Sequence, residues 1–72
     1  MRRIDTNATG EKIRQLRKEA GLTVATLQQI LCFETPQSIY RWQKGDTVPS
    51  VDQLVVLAET FGVRIDDIVV RN

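Results

Sequence analysis

Apolar residues recur every three or four positions along most of this chain, a spacing that places them on one face of a helix. The first such stripe comprises Ile13, Leu16 and Ala20, and most positions between them are charged. Thr9 precedes the stripe as a candidate N-cap, and Gly21 follows it as a residue suited to a left-handed helix end. The pattern predicts an amphipathic first helix with a basic outer face.

Two shorter helical segments come next. Thr23 is the candidate N-cap of the second segment, which ends over residues 32–34. Its apolar positions are Val24, Leu27, Ile30 and Leu31. The third segment opens at Thr35-Pro36, where threonine offers a capping oxygen and proline suits the first helical turn. Its two strongly apolar residues, Ile39 and Trp42, are three positions apart, and Gly45 closes it.

The remaining residues predict two further helices. Ser50 and Gln53 have the spacing of a capping box at the start of the fourth helix. Its stripe consists of Leu54, Leu57, Ala58 and Phe61, and Gly62 ends it. A short fifth helix runs from Ile65 to about Val70, with Asp66 and Asp67 favouring its N-terminus. We therefore predict an all-α fold of five helices in one domain, residues 1–72, with a flexible arm over residues 1–8.

Composition excludes several classes of protein. The chain has 72 residues, 42% of them hydrophobic, which is enough for one compact core. Its single cysteine cannot form an internal disulfide, and with no histidine the usual zinc sites are excluded. We expect Cys32 to be a small packed residue, since no second cysteine could resolve an oxidised form. No apolar stretch approaches the roughly 20 residues that span a bilayer, so a cytoplasmic protein without a membrane segment is expected.

Charge is distributed unevenly along the chain, although the net charge is only +1. Residues 1–44 carry eight basic and four acidic side chains, a net +4, whereas residues 45–72 carry two and five, a net −3. Such asymmetry is typical of a polyanion-binding face backed by a face that repels polyanions. Scattered solvated charges are the alternative interpretation at this point.

The second and third segments, over about residues 23–44, have the pattern of a helix-turn-helix, in which the first helix supports the second. A generic helical hairpin has similar periodicity, so composition has to distinguish the two. The polar residues predicted to be exposed on the third helix are Gln37, Ser38, Tyr40, Arg41 and Lys44. Arginine and glutamine are suited to guanine and adenine edges, and no acidic residue lies between Thr35 and Gly45.

Taken together, the motifs resemble one family. They are Ile13-Arg14-x-Leu16-Arg17 with Gly21-Leu22-Thr23 and Leu27; Ile39-x-Arg41-Trp42-x-Lys44-Gly45 with Pro49-Ser50; Leu54-x-x-Leu57-Ala58; and Phe61-Gly62-Val63-x-Ile65-Asp66-x-Ile68. Their order and spacing over residues 10–70 resemble the lambda-repressor and Cro-like (XRE) helix-turn-helix family. The resemblance implies a DNA-binding domain, usually of a transcriptional regulator, whose recognition helix is residues 35–44.

The resemblance also implies site residues. The implied DNA contacts are Thr23, Thr35, Gln37, Ser38, Tyr40, Arg41 and Lys44. Gln37 and Arg41 are expected to read bases, and Thr23 caps a helix whose free N–H groups can receive a phosphate. Tyr40 has two open interpretations, a phosphate donor or a partly packed surface aromatic. Trp42 is expected to anchor the core rather than to stack on a base.

Several positions depart from the family pattern. Val24 stands where glutamine is common, and Gln28 stands where a small alanine is common. Residues 32–34 replace a turn that commonly contains glycine, and the stretch from Thr23 to Gly45 is one residue longer than usual. Gln43 stands where glutamate is common. These departures bear on the turn and the contact residues more than on the fold.

The sequence therefore predicts a bacterial or phage regulator that binds double-stranded DNA. Because one such domain reads only a few base pairs, we expect a homodimer on a near-palindromic operator, with the fourth and fifth helices (Val55, Ile68, Val69) as the dimer side. No enzyme activity is expected, since there is no Gly-rich phosphate loop and no histidine. Neither a cofactor nor a small-molecule ligand is expected. The competing hypothesis is a protein-interaction module, such as an antitoxin or partner subunit, with secondary DNA binding.

Overall fold

Five helices follow one another in the computed structural model, which describes residues 3–72. They are α1 (Thr6–Glu19), α2 (Val24–Ile30), α3 (Gln37–Lys44), α4 (Val51–Phe61) and α5 (Ile65–Ile68). The molecule measures 35 × 23 × 20 Å, so its helices can share one core. The predicted all-α, five-helix fold is confirmed. None of the helices in residues 3–72 is long and apolar enough to cross a membrane.

The core is built from the predicted apolar stripes. Its buried members are Ile13, Leu16, Leu27, Ile39, Trp42, Leu57, Ala58 and Ile68. Trp42 is therefore the core anchor that its spacing predicts. Ala20 lies outside the core because it caps the exposed end of α1. Ile68, predicted on the dimer side, is fully buried, so that part of the prediction is wrong.

The start of α1 differs from the prediction. The helix begins at Thr6, and Asp5 is its N-cap, with the Ala8 backbone N–H donating to the Asp5 carboxylate at 2.9 Å. Thr9 is instead a buried residue within α1. Its hydroxyl accepts from the Val70 backbone N–H at 3.0 Å and donates to the Val70 carbonyl at 3.4 Å. Thr9 does not cap because its side chain faces the C-terminal segment.

The two ends of the described chain pair with each other. Ile4 and Arg71 form an isolated antiparallel β-bridge, flanked by a hydrogen bond from the Asp5 N–H to the Val70 carbonyl at 2.8 Å. The Asn72 N–H donates to the Arg3 carbonyl at 3.0 Å. The flexible arm predicted for residues 1–8 is therefore wrong for residues 3–8, because these backbone bonds and the first turn of α1 order them. Met1 and Arg2 lie outside the described residues.

Four helices end in the same hydrogen-bonding pattern, with one residue in the left-handed region. Glycine occupies that position after α1, α3 and α4, as predicted: Gly21, Gly45 and Gly62. After α2 the position belongs to Cys32, with φ of 58°. The Cys32 N–H donates to the Gln29 carbonyl at 3.1 Å, and the Phe33 N–H donates to the Gln28 carbonyl at 3.0 Å, which completes a Schellman motif. Cys32 is exposed, so its prediction as a packed residue is wrong.

Two predicted N-caps are confirmed. The Thr23 hydroxyl accepts from the Thr26 N–H at 3.0 Å at the start of α2. At the start of α4, the Gln53 N–H donates to the Ser50 hydroxyl at 3.2 Å, and the Ser50 N–H donates to the Gln53 side chain at 2.8 Å. These bonds satisfy backbone donors that a helix leaves without partners.

Helices α1 and α3 approach closely at Gly10. A Cβ atom at this buried position would overlap the carbonyl oxygen of Trp42. Only glycine permits this separation of the two backbones, and α1 consequently supports the inner face of α3 along its length.

Candidate nucleic-acid interface

The turn between α2 and α3 is held by three features. Cys32 reverses the chain, and the Gln28 side-chain amide donates to the Phe33 carbonyl at 3.2 Å. The Phe33 ring packs edge-on against Trp42, with ring centroids 5.8 Å apart. The turn is thus tied to α2 on one side and to the core face of α3 on the other. Because its amide is used in this turn, Gln28 has a structural role that its sequence position did not indicate.

Helix α3 presents its polar residues on one face. Ile39 and Trp42 are buried, which turns the opposite side of the helix outward. The exposed residues are Gln37, Ser38, Tyr40, Arg41 and Lys44. At 100° per residue, Gln37, Arg41 and Lys44 form a stripe opposite the core, with Ser38 and Tyr40 on its two sides. The structure therefore brings together five of the seven predicted contact residues.

Thr35 is placed differently from its prediction. Helix α3 begins at Gln37, with Pro36 as its N-cap and no side-chain capping bond. The Pro36 carbonyl accepts the first helical bond, from the Tyr40 N–H at 3.2 Å. Thr35 is exposed in the turn and does not cap α3, so the predicted helix start is wrong by two residues.

Two threonine hydroxyls lie side by side at the start of α2. The Oγ1 atoms of Thr23 and Thr26 are 2.9 Å apart and hydrogen bonded to each other, and both residues are exposed. One hydroxyl proton serves this bond, which leaves the other for an outside acceptor. Thr26 was missed from the sequence, although its position one helical turn after Thr23 was a usable signal.

The exposed face of α3 is electropositive. Arg41 and Lys44 belong to no ion pair within residues 3–72, and α3 contains no acidic residue. By contrast, Arg14 on α1 is 3.7 Å from Glu11, and Arg64 near α5 is 3.3 Å from Asp66. The cations of α3 therefore lack the intramolecular partners that partly neutralise these two arginines.

A second basic side chain approaches α3 from α1. The Arg17 Nε donates to the Gln43 side-chain oxygen at 3.2 Å, and its Nη1 donates to the Leu22 carbonyl at 2.8 Å. Arg17 is half-buried at this junction. The sequence predicted a basic outer face for α1 but not this link, since the contact between positions 17 and 43 depends on tertiary packing.

A short supporting helix, a fixed turn and a helix with an outward polar, basic face define a helix-turn-helix fold of the DNA-binding kind. The sequence matches the helix-turn-helix family model over residues 13–68. The chain belongs to the XRE-type, lambda-repressor-like helix-turn-helix family of DNA-binding transcription regulators.

Solved structures show the same fold. The restriction-modification controller protein C.AhdI from Aeromonas hydrophila superposes with a TM-score of 0.77 and 20% identity, over 89% of this chain and 96% of that one. The DNA-binding domain of BldD superposes with a TM-score of 0.75 and 21% identity, over 92% of this chain and 94% of that one.

The fold also occurs inside a longer chain. Apo-HppE superposes with a TM-score of 0.80 and 21% identity over 92% of this chain, but this covers only 36% of HppE. A cobalt(II) form of HppE is known in complex with substrate. The unit described here therefore corresponds to about a third of that chain. No curated protein matches the sequence.

Proposed function

We propose that the chain reads a short sequence of duplex DNA by laying α3 in the major groove. The observation that carries this proposal is the exposed face of α3, which is polar, free of acid and bears two cations that have no ion-pair partner within residues 3–72. A major groove about 12 Å wide accommodates one helix, and its walls are phosphates that favour this charge.

Gln37 and Arg41 are the proposed base readers. They lie one helical turn apart at the centre of the exposed stripe, where the face of α3 is farthest from the core. A glutamine amide forms a bidentate pair with adenine, and an arginine guanidinium forms one with guanine.

The proposed phosphate contacts surround these two residues. Ser38 and Tyr40 lie on the two sides of the stripe, and Lys44 lies at its C-terminal end. Thr23 lies at the start of α2, and Thr35 lies in the turn before α3. Both residues are exposed, and their hydroxyls can donate to phosphate oxygens. Such contacts set the register of the protein on the duplex and carry little sequence information.

We further propose that the chain acts as a homodimer. One α3 reads only a few base pairs, whereas two related by a two-fold axis read half-sites about 10 bp, or roughly 34 Å, apart. The exposed valines of α4 support this proposal, because Val51 is 73% and Val55 is 42% exposed at i, i+4 spacing. A shallow groove of about 430 Å³ lies between the end of α2 and the start of α4, lined by Ile30, Cys32 and Val56 and by the polar Asp52 and Gln53. Occupying an operator in this way would alter the access of RNA polymerase to DNA.

Selection from a random duplex library, in about 0.1 M salt, tests the proposal. We expect a two-fold symmetric site to be enriched. Gln37→Ala and Arg41→Ala should each relax the preference at one base position per half-site, at a cost of about 1–3 kcal/mol. Gln15→Ala and Arg64→Ala are the matched controls, because both side chains are exposed outside the helix-turn-helix.

Other outcomes would contradict the proposal. Binding without any enriched sequence would overturn base reading by α3. Absence of binding, even at low salt, would favour the alternative of a protein-interaction module, for which the exposed valines of α4 offer a contact surface.

A further inference from the structure

Gln28, in the last turn of α2, forms two hydrogen bonds with the backbone of Phe33. The backbone carbonyl of Gln28 accepts from the Phe33 N–H at 3.0 Å, and its side-chain amide donates to the Phe33 carbonyl at 3.2 Å. Within residues 3–72 no backbone N–H donates to that carbonyl, so the amide is the partner it has there. A single residue of α2 therefore holds both polar backbone groups of Phe33.

Phe33 connects this arrangement to α3. Its ring packs edge-on against Trp42, with centroids 5.8 Å apart, and Trp42 is only 3% exposed. Residues 34–36 alone separate Phe33 from the first residue of α3, so the connection between them is short. The orientation of α3 relative to α2 therefore depends on where Phe33 is held.

The backbone of Cys32 explains why this turn needs a side-chain bond. Cys32 has a φ of 58°, a conformation that glycine adopts freely and that strains a residue with a Cβ atom. Its exposed thiol offers little packing to offset the strain. One hydrogen bond contributes a free energy of the same order as this strain. The Gln28 amide can therefore hold the turn in a conformation that glycine would adopt without help.

We infer that Gln28 is a positioning residue for the proposed base readers on α3, and that its amide offsets the strain at Cys32. This inference rests on the proposed function, and Gln28 acts through the turn rather than by touching DNA. The bidentate base contacts proposed for Gln37 and Arg41 need an accurately placed helix, because hydrogen bonds weaken steeply with poor geometry. Attraction between cations and phosphates declines slowly with distance. A displaced turn should therefore reduce sequence discrimination and leave non-specific binding nearly unchanged.

The test uses Gln28→Met, which removes the amide but keeps the length of the side chain and a high helix propensity. The duplex enriched by the wild type and a scrambled duplex of the same length are titrated separately, under conditions in which urea unfolding shows each variant to be folded. The ratio of the two affinities should fall roughly five- to tenfold, part of the discrimination that one bidentate base contact supplies. The affinity for the scrambled duplex and its salt dependence should stay at the wild-type values.

Trp42 provides a second readout that requires no DNA. It is the one tryptophan of the chain, so the tryptophan band in near-UV circular dichroism reports on the packing of its ring. Gln28→Met should weaken this band, because Phe33 would no longer be held against Trp42. The amide of Phe33 should also exchange faster with solvent deuterium.

Gln29→Met is the matched control. It makes the same change one position along α2, at an exposed side chain, and the Gln29 backbone carbonyl keeps its bond from the Cys32 N–H. This variant should retain the affinity ratio and the tryptophan band of the wild type.

Cys32→Gly tests the compensation directly. In this background, adding Gln28→Met should lower the affinity ratio by no more than about twofold, because glycine adopts the left-handed conformation without an added bond.

Different results would overturn the inference. If Gln28→Met lowers the stability but retains the affinity ratio, Gln28 only stabilises the fold. An equal loss in Gln29→Met would show that the position of the amide is immaterial. An undiminished loss in the Cys32→Gly background would show that the amide does not offset strain. Failure of the wild type to enrich any duplex would instead overturn the proposed function, while the tryptophan band would still report whether Gln28 holds the turn.

Discussion

At Cys32, an L-amino acid occupies a backbone region that favours glycine. The left-handed conformation brings Cβ close to the following carbonyl oxygen and costs about 1–2 kcal/mol. The side chain recovers little of this cost, because Cys32 is exposed and its thiol belongs to no disulfide. The end of α2 is therefore less stable than the glycine-containing ends of α1, α3 and α4.

Cys32→Gly should raise the free energy of unfolding by about 1 kcal/mol, the relieved strain less the greater freedom of glycine in the unfolded chain. Urea denaturation measures this change. Cys32→Ala is the matched control, because it removes the thiol but keeps Cβ and should leave the stability nearly unchanged. A lower stability for the glycine variant would mean that the thiol makes a contribution that its exposure does not suggest.

The conformation of the turn between α2 and α3 could not be predicted from the sequence. The turn contains no glycine, so no residue type in it indicated which residue adopts the left-handed conformation. The turn is fixed instead by Phe33 packing on Trp42, nine positions away, and such contacts depend on the tertiary fold. The exposed face of α3 was easier to predict, because two buried residues three positions apart determine which side faces outward.

The apolar periodicity within each helix was predicted better than the residues at which the helices begin and end. Apart from the exposed Ala20 and Ile30, the apolar stripes pack into the core, since the period of 3.6 residues is a property of the segment itself. The start of α1 was mispredicted because both Asp5 and Thr9 are residue types that cap helices. Asp5 does so, since the Thr9 hydroxyl is engaged by Val70, 61 positions away in sequence.

Thr9→Val should destabilise the protein by about 1–3 kcal/mol, because it leaves the partly buried N–H of Val70 without its partner at nearly constant side-chain volume, whereas the Val70 carbonyl keeps its bond from the Asp5 N–H. Urea denaturation measures the loss, and faster hydrogen exchange of the Val70 amide locates it. Thr9→Ser keeps the hydroxyl and should retain slow exchange at Val70. Unchanged exchange in Thr9→Val would show that the backbone bonds of the terminal bridge suffice to hold this segment.

On the scale of the whole molecule, the uneven charge along the sequence places basic and acidic side chains on different helices. Arg41 and Lys44, which have no ion-pair partner among residues 3–72, lie on α3 in the basic part of the sequence, whereas α4 and α5 carry the acidic residues Asp52, Glu59, Asp66 and Asp67. The acidic part would be repelled by the same phosphates that attract α3, which favours one orientation of the protein on DNA.

Val55→Glu should abolish dimer formation at concentrations at which the wild type dimerises, because a charge would replace an apolar contact at the proposed interface. Sedimentation equilibrium measures the association, both free and with duplex. The fold should tolerate the change, since Val55 is 42% exposed. Gln15→Glu, the same charge on α1, should dimerise like the wild type. Equal dimerisation of Val55→Glu would place the interface elsewhere.

The bridge between Ile4 and Arg71 brings the two ends of the described chain close together at its surface. A few added residues could join Asn72 to Arg3 without disturbing any helix, which makes the unit suitable for circular permutation with new ends in the loop at residues 45–50. For the same reason, the unit could be inserted into a surface loop of an unrelated protein, because the two host residues that flank the insertion would need to move apart only slightly. Such an insertion would give the host a compact DNA-binding unit of this family that projects from a single site.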